Sequence, residues 1–330
     1  MGLREGKAPS DLRKETPVVD LGAHDGRLDP TLGMRIAAAV GVKLTNPGKV
    51  IYPETRITKA HLTAYYATVA GRMLPHIVDR PLSLVRCTDE TLAKCFFQKH
   101  ELPGMPAALH PGALTKLSGK DARILYVEDL AGLIAGVQMN TLEFHVWGSR
   151  RQKPHLPERI VFDIDPDEGL GFEHVKQAAL DIRDVLGALE LRSFPLLSGG
   201  KGVHVVVPLT PQANWDLVKE FCQTFAEMLA RAEPDRFVAN MSKVQRKGRM
   251  FLDYLRNAEG STAITPWSTR ARSGAPVATP VAWDELATMD RANRFDIFEA
   301  ASRAQGPDAW PGYFDVRQSL TARIMKAIRR

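Results

Sequence analysis

The sequence predicts a mixed α/β (α+β) protein in which β-sheets are flanked by helices. Short apolar runs with strand character alternate along the chain with amphipathic stretches whose apolar residues fall three and four apart. Of 330 residues, 44% are hydrophobic and 25% are charged. This ordinary globular profile excludes collagen-like, fully disordered and disulfide-scaffold classes. No apolar run approaches the roughly 18 residues of a membrane span, so no membrane partner is expected. The segment Met1–Glu15 lacks the apolar centre of a signal peptide. Cys87, Cys95 and Cys222 form no CxxC pair. They sit far apart, neither a zinc knuckle nor a disulfide framework is supported, and a reduced cytoplasmic setting fits best.

The elements follow in order. Residues 1–41 are polar, carry Pro9, Pro17 and Pro30, and show one short helical patch, Met34–Val40. They read as an N-terminal arm or interdomain linker. Thr58 caps a helix with Leu62, Tyr65, Tyr66, Val69 and Met73 on one stripe, ending at Pro75. Strands are expected at 82–87 and 95–98. A strand at 123–128, a helix at 130–138 and a strand at 142–147 follow. The second half alternates more clearly. RIVFDID (159–165) is a strand, 173–189 a helix, and 193–198 and 203–209 two strands joined by a glycine turn. Residues 215–229 form a helix and 250–255 a strand.

The formal charge is +6, and its distribution is uneven. Residues 243–272 carry seven basic side chains against two acidic, and 317–330 carry five against none. Such blocks favour a phosphate-rich partner. Residues 311–330 are expected to form a basic C-terminal helix.

Three motifs carry chemistry. In the strand 159–165, Ile160, Phe162 and Ile164 face a core, which leaves Asp163 and Asp165 together on the other face. Two adjacent carboxylates repel when ionised, and a divalent cation relieves that repulsion. A solvated strand end would also account for the pair. Ser198-Gly199-Gly200-Lys201-Gly202-Val203-His204 is a turn whose glycines bring backbone N–H groups close to an anion. Ser198, Lys201 and His204 flank it, and the GxxxxGK spacing is missing. Asp253 lies in the apolar run FLDYL and needs a partner. An ion pair to Arg249 or Arg256 would supply one. With Asp163 and Asp165 it would also suit two-metal phosphoryl transfer. Arg270 and Arg272 are placed to clamp a triphosphate, and Arg246, Lys247 and Arg249 precede the third acid. His145 shares a strand face with Glu143 and Trp147. A lone strand histidine is ordinarily structural.

The ordered set DID, SGGKGVH, FLDYL and TPWSTRAR resembles the archaeo-eukaryotic primase superfamily, and most closely the polymerase domain of bacterial ATP-dependent DNA ligase D. LTNPGKVIYP (44–53), ITKAHLTAYY (57–66), CFFQKH (95–100) and LEFHVW (142–147) extend the similarity across roughly 42–310. The resemblance implies a primase-polymerase core in that span and template-directed transfer from an NTP or dNTP to a primer 3′-hydroxyl. It implies two ions, Mn2+ or Mg2+, on Asp163, Asp165 and Asp253. Ser198, Lys201, Gly202, His204, Arg270 and Arg272 would bind the nucleotide, with His145 near its sugar. Asn46, Lys49 and Lys59 match a pocket for a downstream 5′-phosphate. Phe96 and Phe97 match a pair that stacks on template bases, and Lys99, Arg246 and Arg249 would add DNA contacts. Because adjacent strand residues face opposite ways, one phenylalanine of the pair could equally be core. DNA with 5′-phosphorylated gaps or ends is the implied partner, with Ku and the ligase and phosphoesterase domains of end joining, in a nucleoid-associated setting. No KxDG ligase motif is present, so an isolated domain of a larger enzyme or a stand-alone polymerase is expected. Rival readings are a DNA-end binding and bridging module with secondary activity, and a metal-dependent nuclease.

Overall fold

The structure is a computed structural model. It describes residues 28–88, 92–240, 242 and 246–329, with the backbone alone at Asp165. Helix α1 (Pro30–Ala39) starts on the Asp29 cap, and the ribbon β1 (Val50–Tyr52) and β2 (Ile57–Thr58) leads into α2 (Lys59–Ile77). β3 (Leu82–Cys87) and β4 (Cys95–Gln98) form one hairpin, and β5 (His110–Thr115) and β6 (Asp121–Tyr126) another. Then come α3 (Leu130–Gln138), β7 (Thr141–Val146), β8 (Arg159–Pro166), α4 (Phe172–Ala188), β9 (Phe194–Leu197) and β10 (Val203–Pro208). The chain continues through α5 (Trp215–Ala232), β11 (Phe237–Val238), β12 (Met250–Asp253), β13 (Ala263–Ile264) and β14 (Thr279–Pro280). Helices α6 (Trp283–Thr288), α7 (Ile297–Ala304) and α8 (Ala322–Ile328) complete it.

Two larger sheets organise the molecule, in the orders β11-β12-β8-β10-β9-β14 and β13-β7-β3-β4. Their pairing is antiparallel except for β11 with β12. The mixed α/β reading therefore resolves to α+β. Alternation along β8 holds as expected. Ile160, Phe162 and Ile164 enter a core with α4, α5 and α8, while Val161 faces a small aromatic cluster containing Phe194, Trp310 and Tyr313. The four-stranded sheet turns Leu82, Leu84, Leu142, Phe144 and Val146 toward α2 and α3. Its other face carries Glu143 and His145.

Several expectations change. Residues 28–41 are not a loose arm, because α1 packs on α2 and contributes Leu32, Ile36 and Ala37 to the first core. A Cβ on Gly33 would sit 2.1 Å from the Ala60 carbonyl oxygen, so only glycine permits that helix contact. Residues 1–27 lie outside the described residues. Helix α2 continues to Ile77, two residues beyond the expected end at Pro75. Pro75 removes one helical bond in the last turn, where exposed Gly71 leaves its carbonyl open to water. Cys87 and Cys95 are joined as a disulfide, contrary to the cysteine reading. Eight residues apart in sequence, they become register partners once β3 and β4 pair. Strand β5 had no signal, because His110, Pro111 and Gly112 open it. In the tail, α8 buries Ile324, Met325 and Ile328, while Arg323 and Arg329 pair with Glu190 and Glu220. Among the described residues no helix is long and apolar enough to cross a membrane.

Candidate active site

The site lies where β8, β10 and β12 of one sheet face β7 and β4 of the other. Asp163 on β8 is flanked in register by Asp253 on β12 and His204 on β10. Antiparallel pairing thus makes neighbours of residues 90 positions apart in numbering, with Cβ atoms about 5 Å apart. The Asp163 side chain is buried, and its Oδ1 lies 3.2 Å from His204 Nε2. Burial alone pushes its carboxyl up, but His204 and the guanidiniums of Arg256 and Arg270 bring it below the usual range. Burial pushes the Asp253 carboxyl up, and the neighbouring Asp163 charge adds to that, against a pull from Arg256. Asp165 holds the register position opposite Phe251, and its side chain lies outside the described residues.

Arg256 spans the acids, with Nε 3.2 Å from Asp253 Oδ2 and Nη2 3.5 Å from Asp163 Oδ2. The ion pair foreseen as one explanation of Asp253 is therefore present. The same observation tests the fit of a divalent ion. Two carboxylates brought together on paired strands require a cation, and the donor set is all oxygen, as Mg2+ and Mn2+ prefer. Among the described residues no three His, Cys, Asp or Glu side chains form a metal-holding group.

Beside the acids, the turn between β9 and β10 is shaped by its glycines. Gly199 has φ +68°, and a Cβ there would sit 2.8 Å from Arg270 Cγ. A Cβ on Gly202 would sit 2.5 Å from the Ile164 carbonyl oxygen. The Ser198 hydroxyl accepts from Gly200 N at 3.2 Å. Lys201 is exposed, and the nearest neighbours of Gly200 include Arg272.

The segment that brings in Arg270 and Arg272 is held by buried tyrosines. Tyr65 Oη donates to Trp267 O at 2.8 Å, and Tyr52 Oη donates to Arg270 O at 2.7 Å. Tyr66 Oη lies 2.9 Å from Thr269 Oγ1. These bonds satisfy phenols that burial would otherwise leave unpaired. Trp267 adopts φ +70°, an unusual conformation for an aromatic residue, which the surrounding bonds enforce. Arg270 then reaches both sheets, with Nη1 donating to Ser198 O at 2.8 Å and Nε donating to Glu143 Oε1 at 3.1 Å.

His145 donates from Nε2 to Glu143 Oε2 at 2.8 Å, and Phe97 meets its ring edge-on at 5.6 Å between centroids. Burial pushes the imidazole down, against the pull of Glu143. Phe96 and Phe97 are 42% and 60% exposed. Neither is core, because β4 is an edge strand, and Arg86 lies over the Phe96 ring. Lys99 is exposed beyond them. Arg246 stacks on Phe251 at 3.7 Å, and Arg249 donates to Pro234 O.

A second cationic group lies at the start of α2. Lys59 is 4% exposed and donates to Gln138 O at 3.1 Å. Burial, with the charge of Lys49, lowers its ammonium to about 8. Lys49 reaches Thr88 O, and Asn46 is exposed at φ +49° in the same loop. Sequence reasoning passed over Glu143 as a site residue. The available signal was an acid two residues before a histidine on one face of an otherwise apolar strand.

The structure is thus a mixed α+β fold that sets strand-borne acids beside a glycine turn and two arginines. The family model described as LigD, primase-polymerase domain, matches residues 58–310, and the chain belongs to that family. It is 34% identical over 339 residues to the multifunctional non-homologous end joining protein LigD of Pseudomonas aeruginosa, covering 100% of this chain and 39% of that protein. The corresponding protein of Mycolicibacterium smegmatis is 36% identical over 258 residues, covering 77% and 34%. The solved polymerase domain from Mycobacterium tuberculosis ligase D in complex with DNA aligns at TM-score 0.75 and 30% identity, covering 82% of this chain and 96% of that one. The chain thus spans well under half the length of these full-length relatives.

Proposed function

We propose that this chain is a template-directed nucleotidyltransferase that fills gaps and extends 3′ ends during end-joining repair of double-strand breaks. One observation carries the proposal: Asp163 and Asp253 meet on paired strands directly beside the glycine turn, Arg270 and Arg272. Asp163, Asp253 and Asp165 are the residues that would hold two divalent ions, Mn2+ or Mg2+. Such ions lower the barrier to hydroxyl attack and stabilise a pyrophosphate leaving group. The chain's own groups do the rest. The turn's N–H groups, Lys201, Arg270 and Arg272 receive the triphosphate of an NTP or dNTP. His204 orients Asp163, and Phe96 and Phe97 offer π-faces to template bases without sequence preference.

The lysine pair supports recognition of a downstream 5′-phosphate. Lys59 is a buried cation with a second lysine beside it and a carbonyl as its hydrogen-bond partner, and an anion relieves that arrangement. This pocket also supports the second reading, an end-binding and bridging module. The solved relative is in complex with DNA, and DNA with 5′-phosphorylated gaps is the proposed substrate here, in a nucleoid-associated cytoplasmic setting. Ku and ligase and phosphoesterase domains are the proposed partners.

The test is extension of a 5′-phosphorylated gapped duplex with NTPs or dNTPs, with and without manganese. Metal-dependent extension that disappears in Asp163→Ala with Asp253→Ala supports the reading. Extension surviving that double change overturns the mechanism. Shortening of labelled DNA without nucleotides indicates a nuclease instead.

A further inference from the structure

Strand β7 is buried along its whole length, and Glu143 is its one acid. A carboxylate only 7% exposed must have its acceptor sites filled. Oε1 accepts from Arg270 Nε at 3.1 Å and from Ala271 N at 2.9 Å, and Oε2 accepts from His145 Nε2 at 2.8 Å. Burial pushes its carboxyl up, but the His145 bond and the Arg270 charge bring it down to about 2. Glu143 is therefore an anion at every working pH. Its neighbours fall in a telling sequence. Arg270 lies against Gly199 of the turn and bonds Ser198 O. His145 follows, and then the exposed ring of Phe97. Cations beside a glycine turn at one end match the phosphates, and at the other end Phe97 would hold the template base that pairs with the incoming one, so His145 lies where the nucleotide's sugar would fall.

We propose that Glu143 is a positioning residue that locks His145 and Arg270 into one fixed relation and selects the His145 tautomer carrying its proton on Nε2. An ionised carboxylate accepts only, so Nε2 must donate. Burial disfavours the imidazolium, and on a neutral ring that donates from Nε2 the Nδ1 atom is an acceptor for a sugar hydroxyl. Such an acceptor pairs with a hydroxyl and finds no partner where the hydroxyl is missing. Glu143 thereby sets discrimination between ribo- and deoxyribonucleotides without touching either. The inference rests on the nucleotidyl-transfer reading and deepens it.

The test combines two measurements. Nitrogen-15 NMR of the metal-free wild-type chain, with His145 assigned by loss of its signal in His145→Gln, reports the tautomer directly. A neutral ring protonated at Nε2 near pH 7.5 supports the proposal, and the Nδ1 tautomer or an imidazolium overturns it. Steady-state extension with ATP and dATP opposite dT is then compared in wild type, Glu143→Gln and Glu143→Asp. Glu143→Gln should raise KM for both by about tenfold or more and shrink the ATP/dATP ratio of kcat/KM, as expected for loss of charge-assisted bonds. Glu143→Asp should restore part of the ratio. An unchanged ratio and KM in Glu143→Gln overturn the proposal while wild-type extension still upholds the polymerase reading. Absence of extension by wild type with either nucleotide is failure of that reading instead. If Glu143→Gln does not fold, the wild-type NMR result decides.

Discussion

Lys59 is held in the fold at a cost, and replacing it with methionine exposes that cost. Burial and Lys49 lower its ammonium from 10.5 to about 8. Between those values the unfolded chain binds the extra proton, so stability rises with pH through that window. At pH 7 the penalty on the charged form is about 3 kcal/mol, falling to about 1.5 kcal/mol at pH 9.5. Methionine keeps the stem volume and removes the charge. It also loses the bond to Gln138 O, worth about 1 kcal/mol. Lys59→Met should therefore gain about 2 kcal/mol at pH 7 and almost nothing at pH 9.5, read by urea unfolding at both values. The same variant should lose the preference for 5′-phosphorylated over 5′-hydroxyl gaps in DNA binding. A gain that does not shrink with pH refutes the electrostatic account. A retained 5′-phosphate preference refutes the functional one.

Asp163→Asn should reduce primer extension to background while thermal unfolding remains cooperative, since asparagine keeps the side chain's shape; extension near the wild-type rate would exclude a catalytic role. Phe97→Ala should weaken primer-template binding by about 1–3 kcal/mol per stacked base in a fluorescence titration, while thermal unfolding should find stability almost unchanged, because the ring is 60% exposed. Cys87→Ser opens the disulfide that closes the β3–β4 hairpin. The chain-entropy relation for a loop of eight or so residues assigns the bridge about 2–3 kcal/mol. Amide exchange in β4 should accelerate by a comparable factor, and unaltered exchange would show that strand pairing alone holds the hairpin.

What the sequence made legible depended on how local each signal was. The alternation of β8 put Asp163 opposite Ile160, Phe162 and Ile164, and the period of a strand sufficed to show it. The glycine turn was equally local. Cys87 and Cys95 were not, since eight residues of separation reveal nothing until the strands' register is known. Phe96 and Phe97 raised the same difficulty. Alternation places them on opposite faces, but only the sheet order shows that β4 is an edge and leaves both rings exposed. Residues 28–41 were misjudged because the polar composition of 1–41 and its prolines, Pro30 among them, read as a linker. Gly33 is a close helix contact, and Pro30 stands in the first turn, where a missing N–H costs nothing.

The same distinction explains why Glu143 escaped a role, and why Arg256 was foreseen only as a partner of Asp253 and not as a bridge to Asp163 as well. The motif residues are chemically conspicuous along the chain, whereas these two are defined by what they join. Glu143 ties β7 to the Arg270 segment, and Arg270 in turn ties that segment to the turn after β9. Removing either partner leaves the other without its counter-charge, so the two sheets are coupled at the site rather than merely adjacent. Arg256 is the converse case. Its side chain is 42% exposed, so it can leave Asp163 and Asp253 at little cost. The site thus combines an ion pair enclosed between the two sheets with one that is open to solvent on the arginine side. A net charge of +6 conceals both, because each pair cancels in the count.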